Sequence, residues 1–117
     1  RGLHVRRLHQ CSKAQRNGDT MEIDIILEDG NEVVAVEVKS TLTLEAVNEF
    51  LLDLHEFNQF FPLYKDYRIY GAVAGLDISS EVERYAYRKG LFVLRVTGEE
   101  MVQITNDEKF IPQDFAH

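Results

Sequence analysis

Hydrophobic and polar residues alternate with a period of two in MEIDIIL (21–27) and EVVAVEVK (32–39), and both segments are rich in β-branched side chains. EDGN between them carries turn chemistry, so the pattern predicts a β-hairpin. After Ser40 the period lengthens. Leu44, Val47, Phe50, Leu51, Leu54, Phe57 and Phe61 fall on one face of a helix. Thr43 is placed to cap that helix, Glu45 suits its positive end, and Pro62 stands where it should stop. The Phe and Leu stripe is core, with no sign of a cofactor box.

Further along, YRIYGAVAGL reads as a strand, with Gly71 and Gly75 permitting close packing of other backbone. DISSEVERYAYRKG is a second helix. Ser79 or Ser80 caps it, Ser80 with Glu83 matches a capping box, Arg88 and Lys89 close it, and Gly90 ends it. LFVLRV and MVQIT are strands, and the tail NDEKFIPQDFAH is irregular. At the other end, Leu3 and Val5 give a weak strand signal, and CSKAQRNGDT is a polar segment with a turn at Asn17-Gly18. The order is β-β-β-α-β-α-β-β, a mixed α/β domain. The first three strands run antiparallel through short turns, and strands joined by a helix are parallel neighbours with right-handed crossovers.

With 117 residues, 44% hydrophobic and 28% charged, the chain is expected to be one domain with one core. It begins with Arg1, which suggests a piece of a longer protein. The single cysteine, Cys11, allows no intrachain disulfide and suits a reducing cytoplasm. No apolar run is long enough to span a bilayer as a helix, and no signal peptide is visible. The net charge of −7 is uneven. Residues 1–18 hold five basic residues and no acid, while the remainder holds eight basic and twenty acidic. An acidic chain binds nucleic acid poorly without a basic patch, and the first segment is either that patch or a solvated strand and loop.

The hairpin poses the chemical question. Asp24, Glu37 and Lys39 interrupt its aliphatic runs, where ionised groups are costly. Strict alternation puts Ile23, Ile25 and Leu27 on one face of the first strand, and Glu22, Asp24 and Ile26 on the other. In the second strand Val34, Val36 and Val38 oppose Val33, Ala35, Glu37 and Lys39. A loop of two residues (Asp29-Gly30) or of four (Asp29 to Glu32) brings Asp24, Glu37 and Lys39 to one face. The four-residue loop is preferred; it sets Asp24 opposite Glu37 and Glu22 opposite Lys39. Two carboxylates a few ångströms apart repel by about 4 kcal/mol at an effective dielectric near 20. Lys39 offsets part of that, and a hard divalent cation offsets more.

Asp24, twelve intervening residues, Glu37-Val38-Lys39 and a following helix resemble the PD-(D/E)xK nuclease superfamily, with a restriction-endonuclease-like sheet flanked by helices. The likeness spans the core from about Gly2 to Val96 and rests most firmly on residues 22–43. VVAVEVKSTLTLEAVNEF is similar to a bacterial branch in which the domain often follows a long helical segment. The resemblance implies a magnesium- or manganese-dependent hydrolase cutting nucleic acid, DNA before RNA. Asp24 and Glu37 would bind the ion with the backbone carbonyl of Val38, and Lys39 would orient or activate water. A homodimer is compatible, since many enzymes that cut two strands act as dimers. Two departures stand out: Ile23 replaces the motif's proline, and no helix bearing a glutamate is visible before the first strand. The rival expectation is a catalytically inactive nuclease-fold module that binds a protein partner.

Other candidates carry less. Ser40 and Thr41 either touch phosphate or end a strand. Glu22 is either a third ligand or the ion-pair partner of Lys39. His4, His9, His55 and His117 lack zinc spacing, and Cys11 lacks a nucleophile's setting. GAVAG has no P-loop Lys or Ser/Thr. Arg84 and Arg88 read as a solvated face, and Tyr85 and Tyr87 cannot both be core.

Overall fold

The computed structural model describes residues 6–98 and 101–116; the strand signal at Leu3 and Val5 lies outside them. Six strands form one sheet in the order β1-β2-β3-β4-β5-β6. β1 (Arg7–Arg16), β2 (Asp19–Asp29) and β3 (Glu32–Leu42) are antiparallel, β3, β4 (Arg68–Ile78) and β5 (Phe92–Gly98) are parallel, and β6 (Met101–Ile104) returns antiparallel. Helix α1 (Leu44–Phe60) links β3 to β4 through a 3-10 turn at Pro62–Tyr64, and α2 (Ser80–Arg88) links β4 to β5. The predicted order is the observed one.

The helix starts are set by local chemistry. The hydroxyls of Thr43 and Ser79 accept from the Ala46 and Val82 N–H groups at 3.1 and 3.2 Å. Both helices pack on one face of the sheet. There Val47, Phe50, Leu54 and Phe57 of α1 and Val82 and Ala86 of α2 meet Ile23, Ile26, Val33, Ala35, Val73 and Val93. Gly71 is required at this contact: a Cβ would lie 2.5 Å from Leu54 and 2.8 Å from Leu91. The other face has its own cluster of Val34, Val36, Ala72 and Ala74, flanked by Ile25, Leu27, Tyr70, Phe92 and Leu94, and no helix covers it among the described residues. No helix is long and apolar enough to cross a membrane.

Three expectations about the hairpins need correction. CSKAQR is strand, not a polar connection: β1 runs to Arg16 and turns through Asn17 and Gly18, both at positive φ (52° and 86°). As an edge strand it is exposed almost throughout and needs no apolar pattern. The β2–β3 register is the expected one, but Asp29 pairs with Glu32 and shortens the loop to Gly30-Asn31, with Gly30 at φ 60°. Finally, β2 does not alternate strictly. Met21 and Ile23 face the helices together with Ile26, while Ile25 and Leu27 face away. The change of face falls at Asp24, where the Cys11–Asp24 pair is missing from the ladder and Cys11 has φ 51°.

The irregular tail closes the core. Phe110 and Phe115 are buried, Asp114 accepts from the Ile69 N–H at 3.0 Å, and the Phe115 N–H donates to the Ile69 carbonyl at 2.8 Å.

Candidate functional site

β2 and β3 pair from the turn as far as Ile25 and Val36 and then part. Beyond that point β2 pairs with β1 and β3 with β4, so the hairpin opens into a fork. Asp24 and Glu37 are the first residues past the last pair. The backbone change at Asp24 turns its carboxylate into the gap, where Oδ2 accepts from the Val38 N–H at 2.9 Å. A side chain thus replaces the missing ladder bond.

The two carboxyls are hydrogen-bonded to each other, so one of them keeps a proton. Asp24 is the ionised partner. The hydrogen bond from Glu37 holds its carboxyl below the usual range against the cost of burial, helped by the Val38 N–H and the Lys39 charge. Glu37 is the protonated partner, pushed up to about 8 by burial, then by its bond to Asp24 and the repulsion of that charge. Lys39 pulls Glu37 back toward ionisation and Asp53 opposes it. The ammonium of Lys39 stands exposed on β3, two residues beyond Glu37.

Asp53 was not among the residues singled out from the sequence. It lies on α1 between Phe50 and Leu54, half-buried at the edge of the apolar stripe, and burial first, then Glu56 and Glu49, raise its carboxyl above the usual range. An acid beside that stripe, one turn after Phe50, was the available signal. Glu22 is not opposite Lys39, because the strands have already separated; its cross-strand neighbour is Lys13 of β1. Among the described residues no three His, Cys, Asp or Glu side chains converge to hold a metal by themselves. Cys11 is exposed, and His55 packs edge-on against the Phe115 ring with centroids 5.4 Å apart.

No family model matches the sequence, and no curated protein matches it by sequence. Three solved structures share its fold. A repair endonuclease from Pyrococcus abyssi aligns with TM-score 0.51 and 14% identity over 75% of this chain and 39% of its own. EndoMS in a complex with double-stranded DNA aligns with TM-score 0.55 and 13% identity over 83% of this chain and 40% of its own. AF1548, a protein of unknown function, aligns with TM-score 0.55 and 17% identity over 74% of this chain and 47% of its own. The chain spans less than half the length of each. At these identities the likeness establishes an endonuclease-like fold.

Proposed function

We propose that this domain is the catalytic core of a divalent-metal-dependent phosphodiesterase that cuts DNA. One observation carries the reading: two carboxylates from different strands are held in contact where the backbone ladder has been opened to admit them. The likeness to a repair endonuclease and to a protein bound to double-stranded DNA supports the substrate class.

The donor set suits magnesium or manganese. Two carboxylates and a backbone oxygen do not make an all-protein cage, and among the described residues no third acid joins them. Magnesium is commonly held by one or two carboxylates, keeping several waters and sharing substrate phosphate oxygens. Asp24, Glu37 and the carbonyl of Val38 would hold the ion. The chemistry such an ion would supply there is polarisation of a phosphoryl oxygen and a lower pKa for its water. Glu37 must surrender its proton for this to happen, and the ionised Asp24 stays fixed by the Val38 N–H. Lys39 orients the attacking water and holds negative charge on the phosphate. Asp53 adds negative potential behind Glu37.

A second reading, an inactive nuclease-fold module that binds protein, is favoured by one observation: the chain carries a net charge of −7, which opposes binding to a polyanion. Cleavage of plasmid or duplex oligonucleotide with magnesium or manganese, against EDTA, separates the two. Lys39→Ala is expected to lose cleavage roughly a hundredfold or more while melting as the wild type does. Undiminished cutting by Lys39→Ala would overturn the catalytic assignment.

A further inference from the structure

The sheet face opposite the helices is apolar across its middle, with Gln10 the one polar residue where the central row reaches edge strand β1. The row Ile25, Val36, Ala72, Phe92 crosses four strands, and the flanking rows begin at Leu8 and end at Ile104 without a charged residue. Leu8 and Ile104 are 54% and 60% exposed. The three central strands are parallel, and a parallel sheet is stable with both faces covered, as a rule by helices. Here the tail segment 106–110 rises beside β5 as a wall, through the contact of Phe110 with Phe92 at 5.1 Å. Sheet and wall enclose a groove of about 610 Å³.

The charge at this groove points to its occupant. Among the described residues, its only charged lining residues are Asp107 and Glu108, both on the wall and both exposed. A second copy of this chain brings the same acidic wall and the same net charge of −7, and the wall keeps two such faces from meeting flush. An amphipathic helix meets both demands, with a narrow apolar stripe for the trough and cations along one edge. We propose that this groove docks an amphipathic helix of a partner protein, apolar toward Val36 and Phe92 and carrying Lys or Arg toward Asp107 and Glu108.

The test uses the full chain and three labelled helical peptides that share one Leu/Ile/Phe stripe and are flanked by Lys, Gln or Glu. Fluorescence anisotropy should show the Lys-flanked peptide binding about tenfold more tightly than the Glu-flanked one. Glu108→Lys, which cancels the charge of Asp107, should erase that preference. Ile104→Asp, at an exposed position, should abolish binding while the protein still melts cooperatively. Absence of binding by every peptide, equal binding of all three, or binding untouched by Ile104→Asp would overturn the proposal. So would a dimer in sedimentation that Ile104→Asp dissolves, which would give the face to a second copy.

Discussion

Glu28 and Glu37 lie on the same hairpin and are treated in opposite ways. Glu28 sits in the closed part of the ladder, opposite Val33. It accepts from the Tyr64 hydroxyl and is bonded to His9 Nε2, each at 2.6 Å. Burial pushes its carboxyl up, but those two bonds together with the charges of His9 and Arg7 hold it below the usual range. Glu37 sits where the ladder has opened. Its nearest partner is another acid, and its carboxyl is pushed up to about 8. One glutamate is met by donors and the other by a second carboxyl, and that difference in partners, not the glutamate itself, sends the two in opposite directions.

The comparison breaks most visibly on activity. Glu37→Gln should lose cleavage roughly a hundredfold or more, because a neutral amide oxygen holds a divalent cation far more weakly than a carboxylate does. Glu28→Gln should cut as the wild type does. Magnesium should raise the melting temperature of the wild type and of Glu28→Gln, and leave that of Glu37→Gln unchanged. A Glu37→Gln protein that still gains stability from magnesium would place the ion elsewhere.

On metal-free stability the two substitutions should differ in sign. Glu28→Gln weakens charge-assisted bonds to Tyr64 and His9 and should cost about 1–3 kcal/mol. Glu37→Gln removes a group that must stay protonated beside Asp24 and should be neutral or stabilising by up to about 1 kcal/mol, read as a higher denaturation midpoint. The same logic predicts a pH slope. Folded Glu37 keeps its proton up to about 8, whereas unfolded glutamate releases it near 4.5. Between these values the folded state binds the extra proton, so metal-free stability falls as pH rises through the window. Asp24 acts the other way: its depressed carboxyl adds stability that is lost only as pH falls below the ordinary aspartate value of 3.8. Magnesium affinity should rise over the window in which Glu37 deprotonates. Urea melts from pH 5 to pH 8 should show the decline in the wild type and a flatter course in Glu37→Gln.

Much of this was legible in the residues. The change of period at Ser40, the cap at Thr43 and the turn chemistry after Leu27 gave the element order and the Asp24–Glu37 register. Three features were hidden for physical reasons. The change of face at Asp24 falls within IDII, where both faces are aliphatic, so no polar residue betrays it. β1 is an edge strand with nothing to bury, so its polar sequence looks like a connection. The tail has no period at all, yet Phe115 and Asp114 fasten it to Ile69. Asp53 was concealed by the very stripe that identified its helix.

The smallest expected effect tests the fork itself. Strict alternation with full pairing would set Glu22 against Lys39, and a pair at that point would close the hairpin over the site. In the structure the ladder ends at Ile25 and Val36, and the exposed Glu22 stands across from exposed Lys13 on the outer strand. A charge pair so exposed contributes little, and Glu22→Gln should change stability by no more than about 0.5 kcal/mol. Since Lys39 does not depend on Glu22, the same variant should leave cleavage and magnesium stabilisation intact. A double-mutant cycle between Glu22 and Lys39 should return no coupling energy beyond error. Measurable coupling would mean that the two strands stay paired past Val36, and the opening on which the proposed cation site depends would be gone.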